Sequence, residues 1–68
     1  MEIEEIISVI KRALPYLSSS NLATLAQHLQ SDGLETLEDF SCLNEDNLKD
    51  HLKPIQVRRF LQFCKNGM

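Results

Sequence analysis

The sequence predicts an all-α fold, a compact bundle of five helices within one domain, from three observations. Apolar residues recur at spacings of three and four, and no stretch alternates with period two for long enough to make a strand. Ser, Thr, Asn and Lys-Pro signals stand just ahead of those apolar stretches, where helices begin. The chain has 68 residues, 43% apolar and 25% charged, a composition that fits one folded domain and argues against disorder.

The first helix covers residues 2–14. Ile3, Ile6, Ile7, Ile10 and Leu14 make its stripe, with glutamates at its start and Lys11-Arg12 near its end, both favourable to the helix dipole. Pro15 disfavours helical geometry at Leu14 and breaks it there. The serines at 18–20 supply an N-cap for a second helix with core spacing Leu22, Leu25, Ala26, Leu29, ended at Asp32-Gly33 by a left-handed glycine. Thr36-Leu-Glu-Asp39 has the form of a capping box, with Asp for the usual Glu, and opens a short helix through Phe40. Asn44 caps another short helix, EDNLKDH, with Leu48 as its core contact. Lys53-Pro54 starts the last helix, proline taking the first helical position where its missing donor costs nothing. Val57, Phe60, Leu61 and Cys64 form its buried stripe, and Lys65 and Gly67 its stop.

Among these helices the first and last are expected to be the long ones. The predicted core is Ile6, Ile10, Leu14, Leu25, Leu29, Leu34, Leu37, Phe40, Leu43, Leu48, Leu52, Val57, Phe60, Leu61 and Cys64. No linker, repeat or low-complexity segment divides the chain, and no apolar run approaches the roughly 20 residues of a membrane span. The start, MEIEEIISVIKR, lacks the positively charged leader of a signal peptide. Cys42 and Cys64 both lie in apolar settings and are expected to be buried free thiols of an intracellular protein, cytoplasmic or nuclear.

A formal net charge of −3 hides a division. Residues 32–50 carry seven acids, Asp32, Glu35, Glu38, Asp39, Glu45, Asp46 and Asp50, against Lys49 alone. Residues 53–68 carry Lys53, Arg58, Arg59 and Lys65 with no acid. Such asymmetry points to partners of opposite charge. At about 100° per residue, Ile55, Arg59 and Gln62 fall opposite the buried stripe of the last helix, so an isoleucine is expected in water beside an arginine.

Residues 22–65 resemble a sterile alpha motif (SAM) domain. Leu22, Leu25 and Leu29 match its first-helix-pair positions, Leu34 its aliphatic after the turn, and Leu37, Phe40 and Leu43 its middle. LNEDNLKD at 43–50 is similar to the family's "LTEEDLKE", and Leu52 stands for the isoleucine of its "GI". The sequence departs from the pattern where His51 replaces the glycine of "GI", Ile55 the glycine of "GHR" and Val57 the arginine of that motif. Tyr16 stands where the family's N-terminal tryptophan would fall, behind about a dozen helical residues. The resemblance implies a compact five-helix SAM-like bundle over 1–68.

Catalysis finds little support. The serines precede an apolar helix as caps do, and they lack a nucleophile-elbow glycine pattern. His28 flanks a core stripe, and His51 sits near a helix end. Cys42, Cys64, His28 and His51 show neither CxxC nor HxxxH, so no zinc is expected, and with two glycines there is no phosphate-cradling loop. No cofactor and no small-molecule substrate follow from the residues.

Association is the better reading. In self-associating SAM domains a surface on the central helices meets one at the start of the last helix. By resemblance the acidic surface is Glu35, Glu38, Asp39, Glu45, Asp46 and Asp50, and the last-helix surface is Lys53, Ile55, Gln56 and Arg59. An apolar residue ringed by cationic and amide groups has the form of a small interface centre with a polar rim. The partner is then another SAM domain, a copy of this one or a different one. The rival is an RNA hairpin held by Lys53, Arg58 and Arg59, against which the acidic neighbouring segment and the few exposed aromatics argue. A membrane-surface role for residues 2–14 fits poorly, because the polar face opens with glutamates.

Overall fold

The computed structural model describes residues 1–66. Every regular element among them is helical: α1 (Ile3–Ala13), α2 (Ser19–Ser31), a 3-10 helix (Leu37–Cys42), α3 (Glu45–Leu48) and α4 (Pro54–Lys65). The expected stop at Gly67 lies outside the described residues. No helix among them is long and apolar enough to cross a membrane.

Each boundary has a local cause. Helix α1 ends as the Leu14 N–H reaches the Ile10 carbonyl at 2.8 Å, with Leu14 itself pushed to φ −133° ahead of Pro15. Ser18 caps α2, its Oγ accepting the Asn21 N–H at 3.2 Å. The far end of α2 closes as a Schellman motif: Gly33 at φ +103° donates to the Gln30 carbonyl, and Leu34 donates to that of Leu29, both at 3.1 Å. That reversal delivers Leu34 into the core beside the helix it has just left. Helix α4 opens on Pro54, and the Lys53 N–H donates to Gln56 Oε1 at 3.0 Å.

Helix α1 packs against α2, while α4 touches α1, α3 and the 3-10 helix. Val57, Phe60 and Cys64 form the inner side of α4. Phe60 meets Phe40 of the 3-10 helix edge to face, with centroids 6.1 Å apart and planes at 73°. Both rings are completely buried, as are Ile6, Ile10, Leu14, Leu25, Leu29 and Leu48.

Several expectations change. Helix α2, with 13 residues, is longer than α1 with 11 or α4 with 12, because its first and last turns are polar and extend beyond its apolar stripe. The segment EDNLKDH is helical only over Glu45–Leu48. The N–H groups of both His51 and Leu52 then converge on the Leu48 carbonyl, closing a turn that brings Leu52 inside. Leu37, placed in the predicted core, is 54% exposed. It sits one 3-10 turn before Phe40, about 6 Å along the axis, where the core has ended. Cys42 is exposed as well, because a three-residue period turns it away from the side that Phe40 presents to α4. Leu43 and Leu61 are half-buried. Val9, outside the predicted stripe, is buried because α1 is covered by both α2 and α4.

Truncating Phe60→Ala should cost about 3–5 kcal/mol, comparable with the whole stability of so small a domain, and chemical denaturation would show a collapsed or missing transition. The thiols should separate by reactivity, Cys42 labelling in the native protein and Cys64 only on unfolding. Burial pushes the Cys64 thiol from 9.0 up to about 11. Since the folded value is the higher one, its contribution to stability is intact below about pH 9 and lost as pH rises towards 11. Denaturation midpoints should therefore fall more steeply over that interval in the wild type than in Cys64→Val.

Candidate protein-interaction surface

The start of α4 is built from the backbone outward. With Val57, Phe60 and Cys64 directed inward, the helical period leaves Ile55 facing out, 66% exposed, with exposed Arg59 one turn on. Lys53, the N-cap residue, is exposed beside them. Gln56 is half-buried and its Oε1 holds the Lys53 N–H, so its carbonyl oxygen is engaged in starting the helix. The Lys-x-x-Gln spacing is the signal for that role. Arg58, exposed three residues on from Ile55, lines a groove of about 210 Å³ with Glu45, Lys49, Leu52, Pro54 and Val57.

The six acids of the expected central surface fall in three places. Glu35 is exposed just before the 3-10 helix and Glu38 in its first turn, where Asp39 is half-buried. Asp39 Oδ2 accepts the N–H groups of Glu35 at 2.8 Å and Thr36 at 3.0 Å. Those two bonds, Glu35's the stronger influence, hold its carboxyl below 3.8. Glu45 and Asp46 form the first turn of α3, where Asp46 pairs with Lys49 at 3.3 Å and Glu45 shares the groove of Arg58. Asp50 lies in the turn before α4 and lines a wide cleft with Tyr16, Asn21, Lys53 and Gln56.

One polar cluster was not anticipated. The rings of His28 and His51 lie 4.5 Å apart at 53°, and His28 Nε2 is 3.3 Å from Asp32 Oδ2. That same oxygen accepts from Asn47 Nδ2 at 3.1 Å, while Asn47 Oδ1 accepts the Asn44 N–H at 3.0 Å. The cluster ties the end of α2 to α3 and to the turn before α4. Only the His28-x-x-x-Asp32 spacing was visible beforehand, because the partners from 47 and 51 come from elements that fold back upon it. Among the described residues no three His, Cys, Asp or Glu side chains are placed to hold a metal ion.

No protein-family model, no curated protein and no solved structure matches this chain.

The Asp39 carboxylate stabilises the fold above its unfolded pKa, and the contribution is lost as pH falls through its depressed folded value. Asp39→Asn should therefore lower the denaturation midpoint at neutral pH and converge with the wild type in strong acid. Equal midpoints at pH 7 would remove the carboxylate from the account of this turn.

Proposed function

We propose that this chain is a non-enzymatic protein-interaction module of the SAM type, associating with a copy of itself or with another SAM domain. Its two surfaces are the acidic one drawn from Glu35, Glu38, Asp39, Glu45, Asp46 and Asp50, and the start of α4 with Lys53, Ile55, Gln56 and Arg59. The observation that carries this reading is Ile55, 66% exposed in a chain whose other isoleucines are buried or half-buried. With Lys53 and Arg59 around it, the residue offers an apolar contact inside a cationic rim, the arrangement from which small interfaces draw affinity at the centre and orientation at the edge. Both cysteines are free, which suits work in a reducing compartment, the cytoplasm or nucleus.

The RNA reading is weaker on the same geometry. Arg58, one of the three cations it needs, shares its groove with the acidic Glu45.

Sedimentation over a range of concentrations, at low and high salt, tests the proposal. Mass should grow with concentration and salt should suppress that growth, while Arg59→Glu should abolish association without loss of helical signal. A mass that stays monomeric throughout overturns self-association. A monomer that shifts only when a hairpin RNA is added turns the assignment to nucleic acid.

A further inference from the structure

The polar cluster at the end of α2 sets two imidazoles beside a single carboxylate, and its hydrogen bonds fix how each group is used. Asn47 Oδ1 accepts the Asn44 N–H at 3.0 Å, which leaves Asn47 Nδ2 to donate to Asp32 Oδ2 at 3.1 Å. Asp32 Oδ2 is thus an acceptor, and His28 Nε2, 3.3 Å away, carries the hydrogen that faces it. The His51 ring packs on that of His28 with centroids 4.5 Å apart. His51 belongs to the turn in which its own N–H and that of Leu52 converge on the Leu48 carbonyl, at 3.0 and 2.9 Å. The ring pair therefore ties α2 to the turn that carries Leu52 into the core.

The charged and titratable groups around the pair come from every neighbouring element. Beyond Asp32, a groove is shared with Asp39 and Cys42 of the 3-10 helix and with the neutral Asn47 of α3. On the side of His51, the Tyr16 phenol, Asp50 of the turn and Lys53 of α4 line one cleft. Asp50 and Lys53 are opposite in sign and offset each other there. Among the described residues, Asp32 is the carboxylate that pairs with either ring. The side chains of His28 and Asp32 are 34% and 33% exposed, so water screens their charges only in part.

We propose that His28, His51 and Asp32 form an acid-operated latch between α2 and residues 49–52. One proton on the pair is held as a His28 cation against the Asp32 carboxylate, and the turn stays seated on α2. A second proton sets two cations 4.5 Å apart with one carboxylate between them, and the turn lifts away from α2. The first step adds an attraction that the unfolded chain lacks, so it stabilises the fold as pH falls. The second adds a repulsion that the unfolded chain lacks, so it destabilises the fold as pH falls further. Both steps belong to the interval in which imidazoles take up charge, about pH 8 to 5. The latch is a property of the fold and does not depend on the interaction-module reading.

Denaturation midpoints and amide exchange across that interval test it. His51→Phe keeps a ring against His28 and removes the second charge, so its midpoint should rise relative to the wild type as pH falls from about 8 to about 5. Asp32→Asn leaves the two imidazoles without a counter-charge, so its midpoint should fall more steeply than the wild type's over the same range. His28→Gln removes the repulsion from the other ring and should also lose the wild type's decline at the acid end. As a local readout, the exchange protection of the Leu52 amide, corrected for intrinsic rate, should drop by about tenfold at the acid end in the wild type and hold in His51→Phe. Parallel midpoint profiles for the wild type, His51→Phe and His28→Gln overturn the latch. So does an Asp32→Asn profile that follows the wild type, or a loss of Leu52 protection that His51→Phe shares.

Discussion

Phe60 of α4 and Phe40 of the 3-10 helix meet where the two parts of the chain join, and the rest of the architecture depends on that buried edge-to-face contact. Helices α1 and α2 form a pair of their own, and α4 lies against α1. The 3-10 helix and α3 are too short to hold their shape in isolation. They persist because Phe40 and Leu48 are completely buried and because both elements are received by α4. Burying each large apolar side chain contributes about 1.5–3 kcal/mol, so a chain this short has few to leave outside, and where it does so the placement carries information.

The three later elements start by one repeated device. At Thr36, Asn44 and Lys53 the N-cap residue's own N–H donates to a side-chain oxygen three positions on, supplied by Asp39, Asn47 and Gln56. This satisfies a backbone donor at each chain reversal, as helix ends require. It also changes what those side chains can offer a partner. Asp39 has one oxygen engaged with two backbone groups, and Gln56 has its carbonyl oxygen engaged with one. Residues that look like surface charge and surface amide in sequence are in part components of the fold.

What remains on the outside then separates by position. Helix α3 neutralises some of its own charge through Asp46 and Lys49, and Asp50 lies in the cleft that Lys53 also lines. The start of the 3-10 helix keeps exposed Glu35 and Glu38 beside Leu37, and the start of α4 keeps exposed Lys53 and Arg59 beside Ile55. Long-range attraction between unlike surfaces would orient an encounter, and a small dry contact would lengthen it. The functional reading rests on exposed Ile55 and its cationic neighbours more than on the overall acidity of the central segment.

Most of the helical framework was legible from the residues, because periodicity and caps are local: Ser18, Gly33, Asn44 and Pro54 act within four residues of themselves. The outward position of Ile55 followed from the same helical period. Leu37 and Cys42 were misjudged because a 3-10 helix, with its own period and short reach, looks like a brief α-helix until its partner is known. The grouping of the acids, the His28–His51 contact and the second role of Gln56 depend on which elements fold back on one another. By itself the sequence determined where the helices start, and for α1, α2 and α4 most of the side that avoids water. Only the tertiary structure decided which exposed residues share an end of the molecule, because those distances are set by the packing of α4 and not by spacing along the chain.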